Sequence, residues 1–476
     1  MKLLPSLLLA LSLSGACLHA TERKPNFLFV YTDDQRWDAM GVVQKEMGEK
    51  GRYPWFQTPN MDRLAAGGVR FRNAFVTLSL CSPSRAAFLT GQYNHLNGVA
   101  NNVTPFPENS VTYASLLREA GYKTAYVGKW HFGSQKGRRP GFDYSASFLG
   151  QGKYMDCPFE INGETTATSG WVDDVSTDYA IEFMKQNRDT PFSLTVGFKS
   201  CHQPFAPPDR AKNRFDGAET RPVPNLAGKA PYRVPADGKK VSRAPTDAEP
   251  DMKTNAGYFQ CVSAADDCLG RLLDALDELG LADDTVVVFT SDNGFFHGEH
   301  GLLDKRSLYE ESIRIPLLVR YPKQFEKGKV LDEMALNIDL APMILDLAGV
   351  PIPAGMQGKS LAPLASGKMS DWRTSFFAEY FKDGRFTATP TTFAVRTADA
   401  KLIKYPGHDE WTELFDLAAD PYETKNLAAD PAHRDLLAKM NAEFDAQSKA
   451  AGFRVPDDVD KTGKKPGKDA ATPSGE

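Results

Sequence analysis

Short apolar runs alternate with helix-like stretches along the first two-thirds of the chain. Four runs are almost wholly apolar, as is typical of strands buried on both faces of a sheet: residues 26–31, 123–128, 192–198 and 285–290. Leucines hold one face of the clearest helical stretch, 255–279, which Gly280 ends: Leu269, Leu272, Leu273, Leu276 and Leu279. This alternation predicts an α/β fold with a large, mostly parallel mixed sheet flanked by helices.

Further elements are predicted between these runs. Residues 69–75 alternate apolar and polar positions as a strand does, residues 315–320 give another strand, and 340–347 give a helix. Thr58 is predicted to cap a helix that has Pro59 at its first position. Asn109 or Ser110 is predicted to begin a further helix.

The last quarter of the chain has a different pattern. A stretch rich in Gly, Pro and Ser at 351–370 suggests a boundary, and four short strand-like runs follow it at 376–381, 392–396, 401–405 and 413–417. An amphipathic helix after Asp430 and Pro431 closes the pattern. We therefore predict a main domain over 21–365 and a C-terminal subdomain over 366–455, which consists of a small antiparallel sheet and a helix.

Both chain ends are predicted to lie outside the folded core. Lys2, an apolar run over 3–13 and the small residues before Ala20 are typical of a signal peptide over 1–20, with cleavage after Ala20. Lipid anchoring at Cys17 fits less well, so we expect a secreted or periplasmic protein without a stable membrane span. The charged residues 456–476 are predicted to be a disordered tail.

Composition narrows the classes of function. The chain has 476 residues, a net charge of -5 and a pI near 6.0, so no global basic field attracts nucleic acid. Of the six cysteines, Cys261 and Cys268 lie about 10 Å apart on one predicted helix, too far for a disulfide. The proline-rich stretch 204–250 is predicted to be a long ordered loop.

Polar residues follow the ends of several predicted strands. They are Asp33-Asp34, Lys129 with His131, His202, and Asp292-Asn293. In a parallel sheet the carboxyl ends of the strands share one edge, so we expect these groups to converge. Asp33, Asp34, Asp292 and Asn293 offer oxygen ligands, which a hard divalent cation prefers, whereas zinc favours His and Cys.

Residues 80–91 read LCSPSRAAFLTG, with Pro83 near the start of a predicted helix. Cys81 then sits at the positive end of a helix dipole, a place that activates nucleophiles. A lone cysteine is usually a small buried apolar residue. Here the Cys-x-Pro-Ser-Arg motif with Leu-Thr-Gly resembles the signature of the type I sulfatases, in which this Cys is oxidised to Cα-formylglycine. The resemblance implies that a formylglycine-generating (sulfatase-maturating) enzyme reads Cys81, Pro83 and Arg85.

The resemblance, which extends from about residue 25 to about 427, implies an alkaline phosphatase-like fold and roles for the site residues. One Ca²⁺ would be held by Asp33, Asp34, modified Cys81, Asp292 and Asn293. Asp292 would also take the proton of the nucleophile.

The cations and histidines receive roles in the same way. Arg85 would hold the hydroxyl of the nucleophile, and Lys129 and Lys305 would clamp the sulfate. His131 would take a proton from the second hydroxyl to expel sulfate. His202, with Lys305, would protonate the leaving alcohol.

Three further histidines and the substrate are less defined. His297 and His300 either shape a loop or line a substrate rim, and His408 could reach the site from the C-terminal subdomain. Segments 304–309 and 315–319, with Asn101-Asn102, look like the N-acetylglucosamine-6-sulfatase branch, so we expect a sulfated carbohydrate as substrate. Two alternatives remain: a phosphatase or phosphodiesterase of the same fold, which would use Ser or Thr and two zinc ions, and a non-catalytic glycan-binding relative.

Overall fold

The computed structural model describes residues 23–234, 252–384 and 386–454. The strands in these residues form a large sheet, a small sheet and one pair of two-residue strands. The strands are β1 Asn26–Thr32, β2 Val69–Phe75, β3 Lys123–Lys129, β4 Tyr144–Phe148, β5 Phe159–Ile161, β6 Glu164–Thr166, β7 Phe192–Gly197, β8 Thr285–Ser291, β9 Phe296–His297, β10 Leu303–Asp304, β11 Arg314–Ile315, β12 Leu317–Arg320, β13 Lys329–Leu336, β14 Ser375–Tyr380, β15 Thr392–Thr397, β16 Ala400–Lys404 and β17 Glu413–Asp416. The predicted signal peptide over 1–20 and the predicted tail over 456–476 lie outside the described residues. So do residues 235–251, which include the end of the proline-rich stretch.

The main sheet has eleven strands within the described residues, in the order β11-β2-β12-β8-β1-β7-β3-β4-β5-β6, with β13 paired to β2. Its centre is parallel: β8, β1, β7, β3 and β4 run in one direction. Strand β12 is antiparallel to β8, and β5 is antiparallel to β4. The predicted mixed, mostly parallel sheet is therefore confirmed.

Helices cover both faces of this sheet. The α-helices of the described residues are α1 Gly41–Met47, α2 Pro59–Ala66, α3 Cys81–Thr90, α4 Asn94–Asn97, α5 Tyr113–Glu119, α6 Val172–Gln186, α7 Met252–Glu278, α8 Glu310–Ile313, α9 Leu340–Leu347, α10 Ala362–Ala365 and α11 Arg434–Ala450. Helix α11 packs on the small sheet instead. Strand β1 shows why its sequence is apolar throughout. Phe27, Phe29 and Tyr31 join one hydrophobic cluster, whereas Leu28 and Val30 join the cluster on the opposite face.

One predicted helix start is wrong, and one helix that starts as predicted lacks the predicted side-chain cap. Helix α5 begins after Thr112, not after Asn109 or Ser110, because Thr112 and Ser115 form a reciprocal capping box with N···O distances of 3.0 Å in both directions. Thr58 does precede α2, but its hydroxyl accepts a hydrogen bond from the Gly41 N–H instead. The first N–H groups of α2 are bound by the carboxylate of Asp266 from α7.

The predicted strand at 315–320 is divided in two. Pro316 separates β11 from β12, because a proline has no N–H to give to the ladder. Both pieces still pair with β2.

The C-terminal subdomain contains a four-stranded antiparallel sheet, β14-β15-β16-β17, with α11 packed on it. Met440 and Phe444 of α11 are buried, and the Phe444 ring lies 5.7 Å from that of Phe377 on β14. The ring of Phe376 lies 4.9 Å from Phe75 of β2, which joins the subdomain to the main sheet.

Two general features follow from the described residues. None of their helices has the length and apolar character needed to cross a bilayer. The five described cysteines are all free, including Cys261 and Cys268 on α7.

Candidate active site

The carboxyl ends of the parallel strands meet at one edge of the main sheet. Thr32 at the end of β1 pairs with Ser291 at the end of β8, and Gly128 of β3 pairs with Gly197 of β7. The residues that follow these strands therefore emerge side by side. The structure brings together all the polar groups that the sequence places after strands β1, β3, β7 and β8.

Cys81 is the first residue of α3, after the extended N-cap residue Leu80. Its side chain is fully buried, and its Sγ lies 3.4 Å from Asp33 Oδ1. Burial and the charge of Asp33 raise the pKa of the thiol to about 12. The helix terminus thus does not activate the thiol, which stays protonated near neutral pH.

Three buried carboxylates surround Cys81. Asp292 Oδ1 accepts the Asp34 N–H at 3.1 Å, and Asp34 Oδ1 accepts from Asn293 Nδ2 at 2.6 Å. One ligand atom each from Asp33, Asp34, Cys81 and Asp292 lie within 4.8 Å of one another. Asn293 Oδ1 is buried without a hydrogen-bond partner. An orphaned carbonyl oxygen beside clustered carboxylates fits a group that could hold a metal ion.

Three buried cations face these carboxylates. Arg85 donates to Asp292 Oδ2 from Nε at 3.0 Å and from Nη2 at 2.7 Å. Lys129 donates to Asp33, and Lys305 donates to Asp34. The guanidinium of Arg85 also lies over the Tyr31 ring, 4.9 Å from its centre. The positive charges are therefore held in fixed positions around the thiol.

The neighbouring carboxyl groups differ in acidity. Burial favours the protonated form of Asp33, but Lys129, His202 and Arg85 outweigh it and hold the pKa well below its usual range. Burial, together with Asp33 and Asp292, raises the pKa of Asp34 to about 7 although Lys305 opposes the rise. A divalent cation at this cluster would favour ionisation of all three.

His131 lies on the inner side of the site. Its backbone φ is +57°, and its carbonyl oxygen accepts the Ser82 hydroxyl. Its Nδ1 is buried without a hydrogen-bond partner. Burial and the charge of Lys129 hold the pKa of His131 well below its usual range, so the ring is neutral and can accept a proton.

His202 is partly exposed, in the loop after β7. This loop is tied to the loop after β1, since the Asp33 N–H donates to the Ser200 carbonyl at 2.7 Å and the Cys201 N–H donates to the Asp33 carbonyl at 2.6 Å. Burial, Lys129 and Lys305 lower the pKa of His202. Asp33, Cys81 and His202 also offer atoms within 4.8 Å of one another.

Gly128, which precedes Lys129, is required by its surroundings. Its φ is +91°, and a Cβ at this position would lie 2.1 Å from the Gly197 carbonyl oxygen. A side chain would therefore push apart the two strands that deliver Lys129 and His202.

The three histidines of the predicted rim do not form one surface. His297 is buried against the rings of Tyr258 and Phe295, 4.6 and 5.1 Å away. His300 is buried and stacks on Tyr309 at 3.9 Å. Because His297 and His300 are buried, a position on a substrate rim is disfavoured for both, and the alternative role of shaping a loop is favoured. His408 is partly exposed and stacks on Trp411.

Two residues near the site were missed by the sequence reasoning. Gln151, in the loop after β4, accepts a hydrogen bond from Lys129 through Oε1. Its carbonyl oxygen accepts from the buried Lys199 Nζ at 2.9 Å. The available signal was Gly150 and Gly152, which both have positive φ and flank Gln151 after a short strand.

Comparison with known proteins gives the same picture as the geometry. A family model described as Sulfatase matches residues 25–350, and one described as N-sulphoglucosamine sulphohydrolase, C-terminal, matches residues 298–450. The chain is 34% identical to an N-acetylglucosamine-6-O-sulfatase of Bacteroides thetaiotaomicron, over 90% of this chain and 88% of that protein. It is 29% identical to the human N-acetylglucosamine-6-sulfatase, over 92% of this chain and 87% of that protein.

A solved structure is similar over nearly the whole fold. It is a complex of a protein with its substrate D-glucosamine-2-N,6-O-disulfate, and it matches with a TM-score of 0.80 and 30% identity. The match covers 90% of this chain and 98% of that one. The chain therefore belongs to the sulfatase family, has its alkaline phosphatase-like fold, and is a sulfuric ester hydrolase that resembles the N-acetylglucosamine-6-sulfatase branch.

Proposed function

We propose that this sulfatase hydrolyses 6-sulfate esters of N-acetylglucosamine or a related sulfated glycan, with Cα-formylglycine at Cys81 and one calcium ion. The observation that carries the proposal is the position of Cys81: it is the first residue of α3, and its sulfur lies within 4.8 Å of a carboxylate oxygen of Asp33, Asp34 and Asp292. The residue proposed as nucleophile and the possible metal ligands thus form one buried cluster.

The unmodified Cys81 thiol is a poor nucleophile in this position, which supports the proposal that it is modified. In the metal-free site its pKa of about 12 leaves almost no thiolate near neutral pH. The hydrated aldehyde of formylglycine supplies a hydroxyl nucleophile in the same place. Arg85 and Asp292, which are hydrogen-bonded to each other, are placed to orient that hydroxyl and to accept its proton.

Calcium is favoured over zinc by the donor atoms. Asp33, Asp34, Asp292 and the unpartnered Oδ1 of Asn293 all offer oxygen atoms that would hold a calcium ion, and the ion would supply positive charge for an anionic ester. Without a metal ion, the negative charges of the three carboxylates nearly cancel the positive charges of the three cations. A divalent ion then gives the pocket the positive charge that an anionic sulfate ester needs.

The chain's own groups would divide the remaining work. Lys129 and Lys305 would bind the sulfate from two sides, and the neutral His131 would accept a proton on the inner side. His202 would serve the leaving alcohol. A sulfate ester between Lys129 and Lys305 would offset the charges that lower the pKa of His202, so that the imidazole can hold a proton.

The substrate follows from the relatives rather than from the sulfate pocket. Relatives named for N-acetylglucosamine-6-sulfate and a solved complex with a 6-O-sulfated glucosamine are similar over about nine-tenths of this chain. We propose that the precursor is exported through a signal peptide over 1–20 and that a formylglycine-generating enzyme modifies Cys81.

The test is co-expression with a formylglycine-generating enzyme, followed by assays on N-acetylglucosamine sulfated at O6 or O3, glucosamine 2-N-sulfate, and p-nitrophenyl sulfate and phosphate. We expect the 6-sulfate to be cleaved fastest and the Cys81 peptide to carry the mass of an aldehyde. Cys81→Ala should lower activity by about 10³-fold or more with the fold unchanged. Full activity with an intact thiol, or two zinc ions with strong phosphatase turnover, would contradict the proposal.

A further inference from the structure

The segment that carries Lys305 is not held by its own regular structure. Residues Leu303 and Asp304 form only a two-residue ladder with Phe296 and His297. Asp304 and Arg306, on either side of Lys305, have φ of +79° and +82°. These are left-handed conformations that non-glycine residues adopt only where the surroundings impose them. The position of Lys305 therefore depends on contacts made by neighbouring residues.

One of these contacts comes from the small sheet of the C-terminal subdomain. Lys401 of β16 is fully buried, and its Nζ donates to the Leu308 carbonyl oxygen at 3.0 Å. The same ammonium group lies 2.9 Å from Glu310 and 2.7 Å from Glu423. Lys401 thus binds the main chain only three residues after Lys305.

Glu423 makes a second contact of the same kind. Its Oε2 accepts the backbone N–H of Glu310 at 2.9 Å. Lys401 and Glu423 are paired with each other, so one buried ion pair of the subdomain binds both a carbonyl group and an amide group of the segment. A contact that only held the two domains together would not need hydrogen bonds to main-chain groups close to Lys305.

Tyr309 adds a third anchor. Its hydroxyl donates to Glu413 of β17 at 2.8 and 2.9 Å, and the same carboxylate accepts the Tyr405 hydroxyl at 2.7 Å. The Tyr309 ring is stacked on His300. Tyr309 is therefore fixed from the subdomain side and from the loop after β9.

A loop of the small sheet also reaches the residue beside Lys305. The guanidinium of Arg306 lies 3.6 Å from the ring centre of Phe386, in the connection between β14 and β15. Ser307 contacts Tyr232, whose hydroxyl lies 2.9 Å from the Ser307 hydroxyl. Arg306, Ser307, Leu308, Tyr309 and Glu310 each have a partner outside the segment.

From these contacts we infer that Lys401 and Glu423 are positioning residues for Lys305, so that the C-terminal subdomain sets the geometry of the sulfate clamp. The inference rests on the proposed role of Lys305 in binding sulfate. Loss of Lys401 removes the donor to the Leu308 carbonyl and leaves Glu310 paired only with arginines, of which Arg396 lies 3.4 Å away. The Lys305 ammonium then loses its alignment with Asp34. The sulfate pocket is then disturbed without any change in a residue that touches it.

The experiment compares Lys401→Met with a matched control in the matured enzyme. The control is Arg373→Met, because the largely buried Arg373 also forms an ion pair, with the buried Asp339, and makes no hydrogen bond to segment 303–310 among the described residues. We expect Lys401→Met to lower kcat/KM for p-nitrophenyl sulfate by about 10- to 100-fold, and Arg373→Met to lower it by less than about threefold. Lys401→Arg should recover most of the loss.

Two further readouts separate positioning from general damage. Because both changes act on Lys305, the double variant Lys401→Met/Lys305→Ala should be no worse than Lys305→Ala alone. Amine acylation followed by peptide mass analysis should label the buried Lys305 faster in Lys401→Met than in Arg373→Met. If Lys401→Met does not fold, Glu423→Gln and Tyr405→Phe carry the same comparison.

The experiment distinguishes a failure of this inference from a failure of the proposed function. An inactive wild-type enzyme would overturn the proposed function, and this inference with it. An active wild type with equal losses in Lys401→Met and Arg373→Met, with losses that multiply with Lys305→Ala, or with unchanged labelling of Lys305, would overturn the inference alone.

Discussion

Solvent reaches the two histidines of the pocket to different degrees. His131 is buried, and its unpartnered Nδ1 lies inside the protein, whereas His202 is partly exposed at the start of the proline-rich loop. A leaving sugar must depart towards solvent, and the partly exposed His202 lies on the side from which it would leave. This difference supports separate roles for the two rings.

His202→Ala should therefore depend on the leaving group. Loss of a general acid costs a factor of about 10² to 10⁴ when the alcohol is a poor leaving group. Nitrophenolate leaves without help, so we expect a large loss on N-acetylglucosamine-6-sulfate and a small one on p-nitrophenyl sulfate. Steady-state kinetics on both esters measures this, and equal losses would contradict the assignment.

Asn293→Ala should weaken calcium binding. The change removes the one amide oxygen of the cluster that has no protein partner, and we expect the affinity to fall by about tenfold or more. Calorimetric titration of calcium into the metal-free protein gives the number. Asn187→Ala at the end of α6 is a matched control that should leave the affinity unchanged.

The end of an apolar run marks the residues that follow a buried strand. Asp33, Asp292 and Lys129 follow such runs directly. Lys199, directly after residues 192–198, carried this signal although it was missed. Gln151 had only the weak signal of the two glycines beside it, because β4 has only five residues and the functional group after it is an uncharged amide. Its role depends on contacts with Lys129 and Lys199, which are distant in sequence.

At the scale of single elements, helix starts are decided by hydrogen bonds that the sequence leaves open. Asn109, Ser110 and Thr112 are all good caps, but only Thr112 has a serine three positions later that returns the hydrogen bond. At α2 the capping group comes from Asp266, about 200 residues away in sequence. No local pattern could reveal that partner.

Thr112→Ala should destabilise the protein by about 1 kcal/mol, the usual effect of losing a helix cap. The substitution leaves the Ser115 N–H at the start of α5 without its partner. Thr112→Ser keeps an acceptor and should retain most of the stability. Chemical denaturation of the three proteins tests this, and identical midpoints for all three would argue against the cap.

At the scale of the whole molecule, the parallel centre of the sheet was predictable, whereas the attachment of the small sheet was not. The βαβ pattern fixes a parallel sheet with its site at one edge. The contact of Phe75 with Phe376 joins positions about 300 residues apart, and both look like ordinary strand residues in the sequence. The boundaries at 365 and 455 remain predictions.

The C-terminal subdomain is also held by an ion pair that responds to pH. His95 of α4 contacts Glu379 of β14 at 2.7 Å and the Ala451 carbonyl after α11 at 3.0 Å. Burial opposes protonation, but the hydrogen bond and charge of Glu379 raise the pKa of His95 above its usual value. The protonated form therefore stabilises the folded state.

His95→Gln should reveal this dependence. A raised pKa in the folded state gives a stabilisation that is complete below the unfolded pKa of about 6.5 and is lost as pH rises through the folded pKa. We expect the variant to be destabilised more at pH 5.5 than at pH 8.5. Denaturation at the two pH values measures the difference, and a larger deficit at pH 8.5 would show that the sign is wrong.

The burial of α3 has a consequence for the order of events in biosynthesis. Every residue of this helix is buried, with Cys81 at 0% and Arg85 at 1% exposure. The proposed modifying enzyme would have to reach Cys81, Pro83 and Arg85, and the folded chain exposes none of them. If Cys81 is converted as proposed, we therefore expect the conversion to precede folding. A molecule that folded first would keep its thiol, and later exposure to the modifying enzyme would not rescue it.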